Sequence, residues 1–402
     1  MLRGNTISAK RHIIPRNISP AQLIGLVVPA MVAFGAGSVV IARTLAQRSD
    51  PWLLGDWLID YSAGFSRRGL VGEAVRQFSA FLGADRIVVT VGLVWIVFAA
   101  LFATVTLLFL HHHRGLTTLL LFVSPAFLFY FLNFLGTMRK ELLLLLLVAV
   151  VLLVTRNGQG GQWVWLLAGG FPLLVFAHEG LALYAGFVLI IIALLFTEGV
   201  VSRKQAIAQA TVLAFSTLLA GVTVLLFGSS PGVDEQICDN LRSEGYSRRL
   251  CGGAIAFLDR DSQEAIDRVL EFVATENYLT TYGLILVLSA VPFFFVRFSK
   301  TLSVGIFLAL AATFPLFVVA IDWGRWIVIA VWLVTLITVR FDGSPHLTVR
   351  PINPVTFRTD LLVAVGVVAY ATLWSIPHCC EPRIGFGLID RAAELLRYVG
   401  GG

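Results

Sequence analysis

Apolar runs long enough to cross a lipid bilayer recur along most of this chain, and no other feature limits its fold as tightly. A transmembrane helix needs about 17–25 predominantly apolar residues. The run "AQLIGLVVPAMVAFGAGSVVIA" near the start meets that length. Inside hydrocarbon every backbone polar group must be satisfied within the protein, which leaves helices or closed barrels. A barrel would alternate apolar and polar residues in segments of about ten, and that alternation is absent here. The sequence therefore predicts an all-α polytopic membrane protein, folded as a single integral membrane domain over residues 1–402. Charged residues make up only 13% of the chain, against about 25% in soluble domains. The first run is also longer than the core of a cleaved signal peptide, about 7–15 residues, so it reads as a retained helix.

Eleven spans are expected, at about 21–43, 87–110, 116–135, 139–155, 162–177, 181–197, 206–228, 279–297, 301–321, 323–340 and 360–377. The fifth and sixth are short enough to be a broken or re-entrant pair. No internal repeat is visible, which weighs against an inverted-repeat carrier. Arg3, Lys10, Arg11 and Arg16 precede the first span with no acid among them, and this favours a cytoplasmic N-terminus. Basic residues overall divide almost evenly between the two sides, so the first flank and the lysines of the short loops set the orientation. The chain is then expected in a bacterial inner membrane, with residues 44–86 and 229–277 outside and an amphipathic tail at 378–402.

Both outer segments carry helical patterning. "LVGEAVRQFSAFL" (70–82) places Leu70, Val71, Ala74, Val75, Phe78, Phe81 and Leu82 on one face and Glu73, Arg76 and Gln77 on the other. Such a helix lies flat in the headgroup region. "DSQEAIDRVLEFVATENY" repeats the pattern with Ile266, Val269, Leu270 and Val273, capped by Asp261 or Ser262. The long segment also holds Cys238 and Cys251, thirteen positions apart, a disulfide candidate in an oxidising compartment. Cys379 and Cys380 are adjacent, and neighbouring cysteines rarely bond to each other. Membrane lipids are the expected surroundings. No basic stripe with interleaved aromatics is present, so the chain lacks the footprint of a nucleic-acid partner.

Four charged clusters fall at span ends on the same expected side. Asp56, Asp60, Arg67 and Arg68 follow the first span. Arg139, Lys140 and Glu141 open the fourth ("TMRKE"). His178 and Glu179 lie between the fifth and sixth ("AHEG"), and Asp322 and Arg325 between the ninth and tenth ("DWGRW"). An ionisable group at the hydrocarbon boundary is costly unless it is paired or wetted. Their common placement predicts one shared polar hollow. Each cluster also has a plainer reading: a snorkelling helix start for "RKE", a structural pair for Asp322 and Arg325, a helix-end partner for His178, and contact with ordinary anionic lipid for Arg67 and Arg68. "HEG" lacks the second histidine of a HExxH zinc motif, and no other metal-ligand spacing is evident. No Walker or dinucleotide loop is present either, and a divalent cation bridging Asp60 to phosphates is the one cofactor the pattern would suit.

Arginine and lysine beside carboxylates at membrane level suit sugar transfer from a lipid-linked donor. The cations offset charge on a leaving phosphate, and a carboxylate takes the proton of an acceptor hydroxyl. The stretch "GDWLIDYSAGFSRRG", after a first span and before a surface helix, resembles the C-type integral-membrane glycosyltransferases. In that superfamily an acid of the first outer loop is commonly the catalytic base, although usually within an adjacent acidic pair. Here the acids are four positions apart. The arginine-rich outer side and the long late loop also resemble bacterial O-antigen and exopolysaccharide polymerases, where outer arginines engage a polyprenyl diphosphate. The resemblance implies Asp60 as base, with Asp56 next and His178–Glu179 third. Arg67, Arg68, Arg139 and Lys140 would hold the donor phosphate, Glu141 would lie beside them, and Asp322 and Arg325 would orient the substrate. The competing expectation is a transporter or flippase for a lipid-linked or anionic substrate, which would place charge at mid-span and on both sides.

Overall fold

The structure is a computed structural model that describes residues 20–112, 116–133, 136–260, 262–350, 357–380 and 384–385. It is helical almost throughout. The main helices are α1 (Pro20–Gln47), α2 (Gly69–Leu82), α3 (Arg86–His112), α4 (Glu141–Val154), α5 (Trp165–Ala177), α6 (Ala185–Thr197) and α7 (Arg203–Phe227). They continue with α8 (Val233–Ser243), α9 (Ser262–Thr275), α10 (Tyr278–Ala290), α11 (Lys300–Ala312), α12 (Trp323–Phe341) and α13 (Phe357–Thr372). A two-stranded antiparallel sheet pairs β1 (Val296–Phe298) with β2 (Leu347–Val349), Val296 facing Val349. It caps the C-terminal end of α12.

Every segment expected to span is helical over most of its length. The structure supports an all-α membrane protein without establishing eleven full spans. Among the described residues, six helices are long and apolar enough to cross a membrane: Arg86–His111, Glu179–Thr197, Arg203–Phe227, Tyr278–Phe295, Lys300–Val319 and Trp323–Phe341. Of the other expected spans, α1 is one continuous helix of 28 residues, and three others are broken or short. Residues 116–135 form two short helices, Leu116–Phe122 and Pro125–Leu132, parted at Ser124 before a proline, where helices tend to end. The helices around 141–154 and 161–177 are apolar but short. The basic N-terminal residues lie outside the described residues, as does the expected tail at 378–402 apart from 378–380 and 384–385.

Helix α12 is the hub. Its whole span is buried inside the protein, against α3, α4, α6, α10 and Pro125–Leu132. The indole of Trp332 stacks on Phe127 with centroids 4.1 Å apart. Lipid tails are as apolar as leucine, so such contacts stabilise through close packing rather than water exclusion. A helix shielded from lipid on all sides can carry charge at its ends. Arg325 and Arg340 do so, both buried. At the C-terminal end Arg340 pairs with Glu198 at 2.9 Å and donates to the Thr155 carbonyl at 2.8 Å.

The two loop segments pack on each other. Arg67 donates its guanidinium to the carbonyls of Phe257, Leu258 and Arg260, and its backbone N–H to Gly228 O at 2.7 Å. Ala254 N reaches Pro51 O at 3.2 Å, and Asn240 bonds Ser62 at 3.0 Å. Cys238 and Cys251 are disulfide-bonded, which ties α8 to the following turn. Helix α9 forms as expected; Val269 is buried and Leu270 exposed, and Asp261, one of its two candidate caps, lies outside the described residues. The surface helix α2 buries Gly72, Val75 and Ser79 while leaving Phe78, Phe81 and Leu82 exposed. Cys379 and Cys380 form a vicinal disulfide, a bond that adjacency alone did not suggest.

Candidate functional site

The end of α12 that bears Arg325 collects charged side chains from five separate segments. Arg68 sits just ahead of α2 with a positive φ of 65°, a backbone state unfavourable by about 1–2 kcal/mol for a side chain with a Cβ. That turn aims its guanidinium at Glu179. The fork is close: Nε lies 2.9 and 3.0 Å from the two carboxylate oxygens and Nη2 lies 2.6 Å from Oε1. Beneath it, Lys140 donates to the Arg68 carbonyl at 2.8 Å and faces Asp56 at 3.5 Å. At that length the second contact is an ion pair rather than a formed hydrogen bond, and Asp56 Oδ1 has no donor of its own. Burial works to raise the Asp56 carboxyl, but Lys140, Arg68, His178 and Arg139 outweigh it and hold it at about 2.

The second group centres on Arg325. Nη2 bonds Glu141 Oε1, Nη1 bonds Asp322 at 2.7 Å, and Nη2 lies 3.2 Å from His178 Nε2. His178 Nε2 stands 3.8 Å from Glu141, while Nδ1 lies 3.3 Å from Gly180 N. A neutral imidazole has one N–H and one acceptor nitrogen, so His178 can accept from the Gly180 N–H at Nδ1 or from Arg325 at Nε2, but not from both. Glu141 Oε2 and Arg325 Nε are buried without partners. Arg139, also buried, donates to the Trp52 carbonyl at 3.4 Å.

The two groups are one assembly because two dipeptides stitch them. Lys140 belongs to the first and Glu141 to the second; Glu179 belongs to the first and His178 to the second. Four acids, Asp56, Glu141, Glu179 and Asp322, thereby face four bases, Arg68, Arg139, Lys140 and Arg325. The assembly is graded in depth. The side chains of Lys140 and Glu141 are fully buried and that of Asp56 is 3% exposed, whereas Arg68 and Glu179 are each 25% exposed. Asp322 is 24% exposed, so Arg68, Glu179 and Asp322 together form the accessible edge of the assembly.

Two expected members lie elsewhere. Asp60 is buried and both its oxygens are engaged, Oδ2 by Arg86 at 2.5 Å and Oδ1 by the Ser62 N–H at 2.9 Å and its hydroxyl at 2.5 Å. Arg86 also reaches Glu244 at 3.2 Å. Asp60 is thus an anchor between the first loop, α3 and the long loop. Arg67 clamps the carbonyls of Phe257, Leu258 and Arg260. Arg86 and His378 escaped the sequence reading. Arg86 sits at a helix start where a lone arginine reads as a snorkelling flank, and His378 lies in a stretch without a motif. His378 Nδ1 is 3.7 Å from Asp322 Oδ1, and the donor atoms of Asp322, His378 and Cys379 all lie within 4.8 Å of one another. This is the one group of metal-ligand type among the described residues.

Comparison with curated proteins finds no match, and neither does comparison with solved structures. The family model described as "Uncharacterised membrane protein Rv1490" matches residues 25–254, a stretch that runs from within α1 through α8 and holds every assembly residue except Asp322 and Arg325. With more than half of its length covered, the chain belongs to this membrane-protein family.

Proposed function

We propose that this protein transfers a sugar from a polyprenyl (di)phosphate-linked donor to an acceptor hydroxyl outside the cytoplasm, in the synthesis of cell-envelope polysaccharide or glycoconjugate. The observation that carries the reading is the Arg68–Glu179 fork, a quarter exposed, above a buried layer of compensated charge. An arginine fork matches carboxylate and phosphate alike. A donor phosphate therefore competes with Glu179 for Arg68. Once displaced, the Glu179 carboxylate is free to accept the proton of an acceptor hydroxyl. The acceptor oxygen bonds to the anomeric carbon as the bond from that carbon to phosphate oxygen breaks. Arg68, with Lys140 and Arg139 behind it, offsets the charge on the departing phosphate. This geometry favours Glu179 over Asp60 as base and leaves Asp56 to hold Lys140 charged. On this reading the polar end faces the periplasm, the N-terminus faces the cytoplasm, and the eleven apolar helical segments all sit at bilayer depth.

The test is reconstitution in vesicles with a polyprenyl diphosphate-linked glycan and an acceptor glycan. Arg68→Ala should lose donor binding. Glu179→Gln should bind donor but turn over about 10²–10⁴-fold more slowly, the usual worth of a positioned base. Asp60→Asn should retain turnover in whatever fraction folds. Undiminished turnover by E179Q would end the reading. Movement of intact donor across the vesicle without product would replace it with that of a carrier.

A further inference from the structure

The segment after α13 folds back over the N-terminus of α12 and is held there firmly. Cys380 N–H donates to the Tyr278 hydroxyl at 2.9 Å, and that hydroxyl donates to Ile321 O at 3.0 Å. Asn133 holds the Ile376 carbonyl at 3.2 Å. Gly324 makes the approach possible, since a Cβ there would lie 2.0 Å from Pro377 O. The result places His378 and the Cys379–Cys380 pair against Asp322.

His378 is 6% exposed, and neither ring nitrogen has a hydrogen-bond partner. An imidazole always offers one donor and one acceptor, or two donors, and leaving a buried polar group unmet costs about 1–3 kcal/mol. Such an orphan beside a carboxylate and a sulfur points to a ligand not made of protein. Arg325 takes Asp322 Oδ2 and leaves Oδ1 turned toward the ring at 3.7 Å. Two ligands at about 2.1 Å from a tetrahedral zinc ion lie about 3.4 Å apart, so this pair is already near bridging distance. Arg325 also fixes the carboxylate from outside, as partners of metal ligands do.

We propose that Asp322, His378 and Cys379 form a binding site for one zinc-like divalent cation, open only when the Cys379–Cys380 disulfide is reduced. One oxygen, one nitrogen and one thiolate select a borderline-soft ion over magnesium or calcium. Three protein ligands leave a fourth tetrahedral position for water or a substrate oxygen, the pattern of catalytic rather than structural zinc sites. The redox step balances with a dithiol reductant. Two electrons cleave the bond between the two sulfurs, giving two thiols, while the reductant becomes a disulfide. Cys379 then releases its proton as it binds the cation. The site does not depend on the sugar-transfer reading.

The full-length protein in detergent micelles, probed with Co²⁺, tests this directly. Thiolate ligation to Co²⁺ gives a sulfur-to-metal charge-transfer band. Cys380→Ser cannot form the vicinal bond and keeps Cys238–Cys251 oxidised, so it should bind one Co²⁺ per chain with that band and without added reductant. Oxidised wild-type protein should show no band. In the C380S background, adding Cys379→Ser should abolish the band, and adding His378→Ala should weaken binding at least tenfold, while size exclusion and thermal melting confirm that each variant is folded. A C380S protein without the band overturns the proposal, as does a band that survives C379S or binding that is indifferent to His378. Metal analysis after Zn²⁺ loading and desalting should give the same order of occupancy.

Discussion

Lys140 shows what a buried charge demands of its neighbours. Its ammonium is fully buried and meets Asp56 and the Arg68 carbonyl. Removing one partner of a buried pair typically destabilises by about 3–5 kcal/mol, because the other charge is left uncompensated. Lys140→Met should therefore cost about that much in unfolding experiments in micelles, and pairing it with Asp56→Asn should recover a large part. Additive losses would show that the two groups do not interact. Asp56 also sets a pH dependence. Its carboxyl is lowered from 3.8 to about 2 in the folded protein. A depressed folded-state value contributes stability above the unfolded value and loses it as pH falls through the folded one. The melting temperature of the wild type should thus drop as pH falls from about 4 toward 2. D56N should lack that part of the drop, and identical acid limbs would contradict the assignment. Charged positions of this kind were legible in the sequence as clusters, since ionisable groups stand out against apolar runs. Their partners were not. Asp60 and Asp56 look equivalent four residues apart, yet one meets Arg86 and the other Lys140, and only the path of α3 and α4 decides which.

Helix α2 was readable because amphipathic spacing is a local property. What its faces touch was less so. Gly72 rests on the backbone of the preceding turn, and a Cβ there would stand 1.9 Å from Ile59 O. Gly72→Ala should displace α2 and destabilise the protein by about 1–3 kcal/mol, the range for overpacking, as measured by thermal melting. An adjoining face presents Phe78, Phe81 and Leu82 outward, as a helix lying in the headgroup region would. In vesicles, a spin label on Phe81→Cys should be relaxed more by oxygen than by a water-soluble nickel complex, and one on Arg76→Cys, about 140° around the helix, should show the reverse. Equal behaviour at both positions would mean that α2 stands clear of the bilayer. The breaks inside some of the apolar runs follow the same division. Pro125 signals a break from sequence, whereas the short α4 is largely buried against its neighbours and the short α5 still exposes Trp165, Leu166 and Leu173.

The complete bundle has two differently charged ends. Arg325 and Arg340 lie fifteen positions apart on α12, or about 22 Å at 1.5 Å per residue. The assembly around Arg325 is large and partly open to water, and the Arg340–Glu198 pair is small. With a cytoplasmic N-terminus, the assembly faces outward. A membrane-impermeant thiol reagent applied to intact cells should then label Ser243→Cys and spare Gly158→Cys, and the opposite pattern would invert the topology along with the proposed donor side. Hydropathy alone was enough to make this an α-helical membrane protein, because length and apolarity are properties of each run and the bilayer acts on each run separately. Ion pairing depends on distances of a few ångströms between groups scattered over the 270 positions from Asp56 to Arg325. Such distances exist only after the helices pack, so the fold alone could separate Asp60 the anchor from Glu179 at the rim and bring His378 to Asp322.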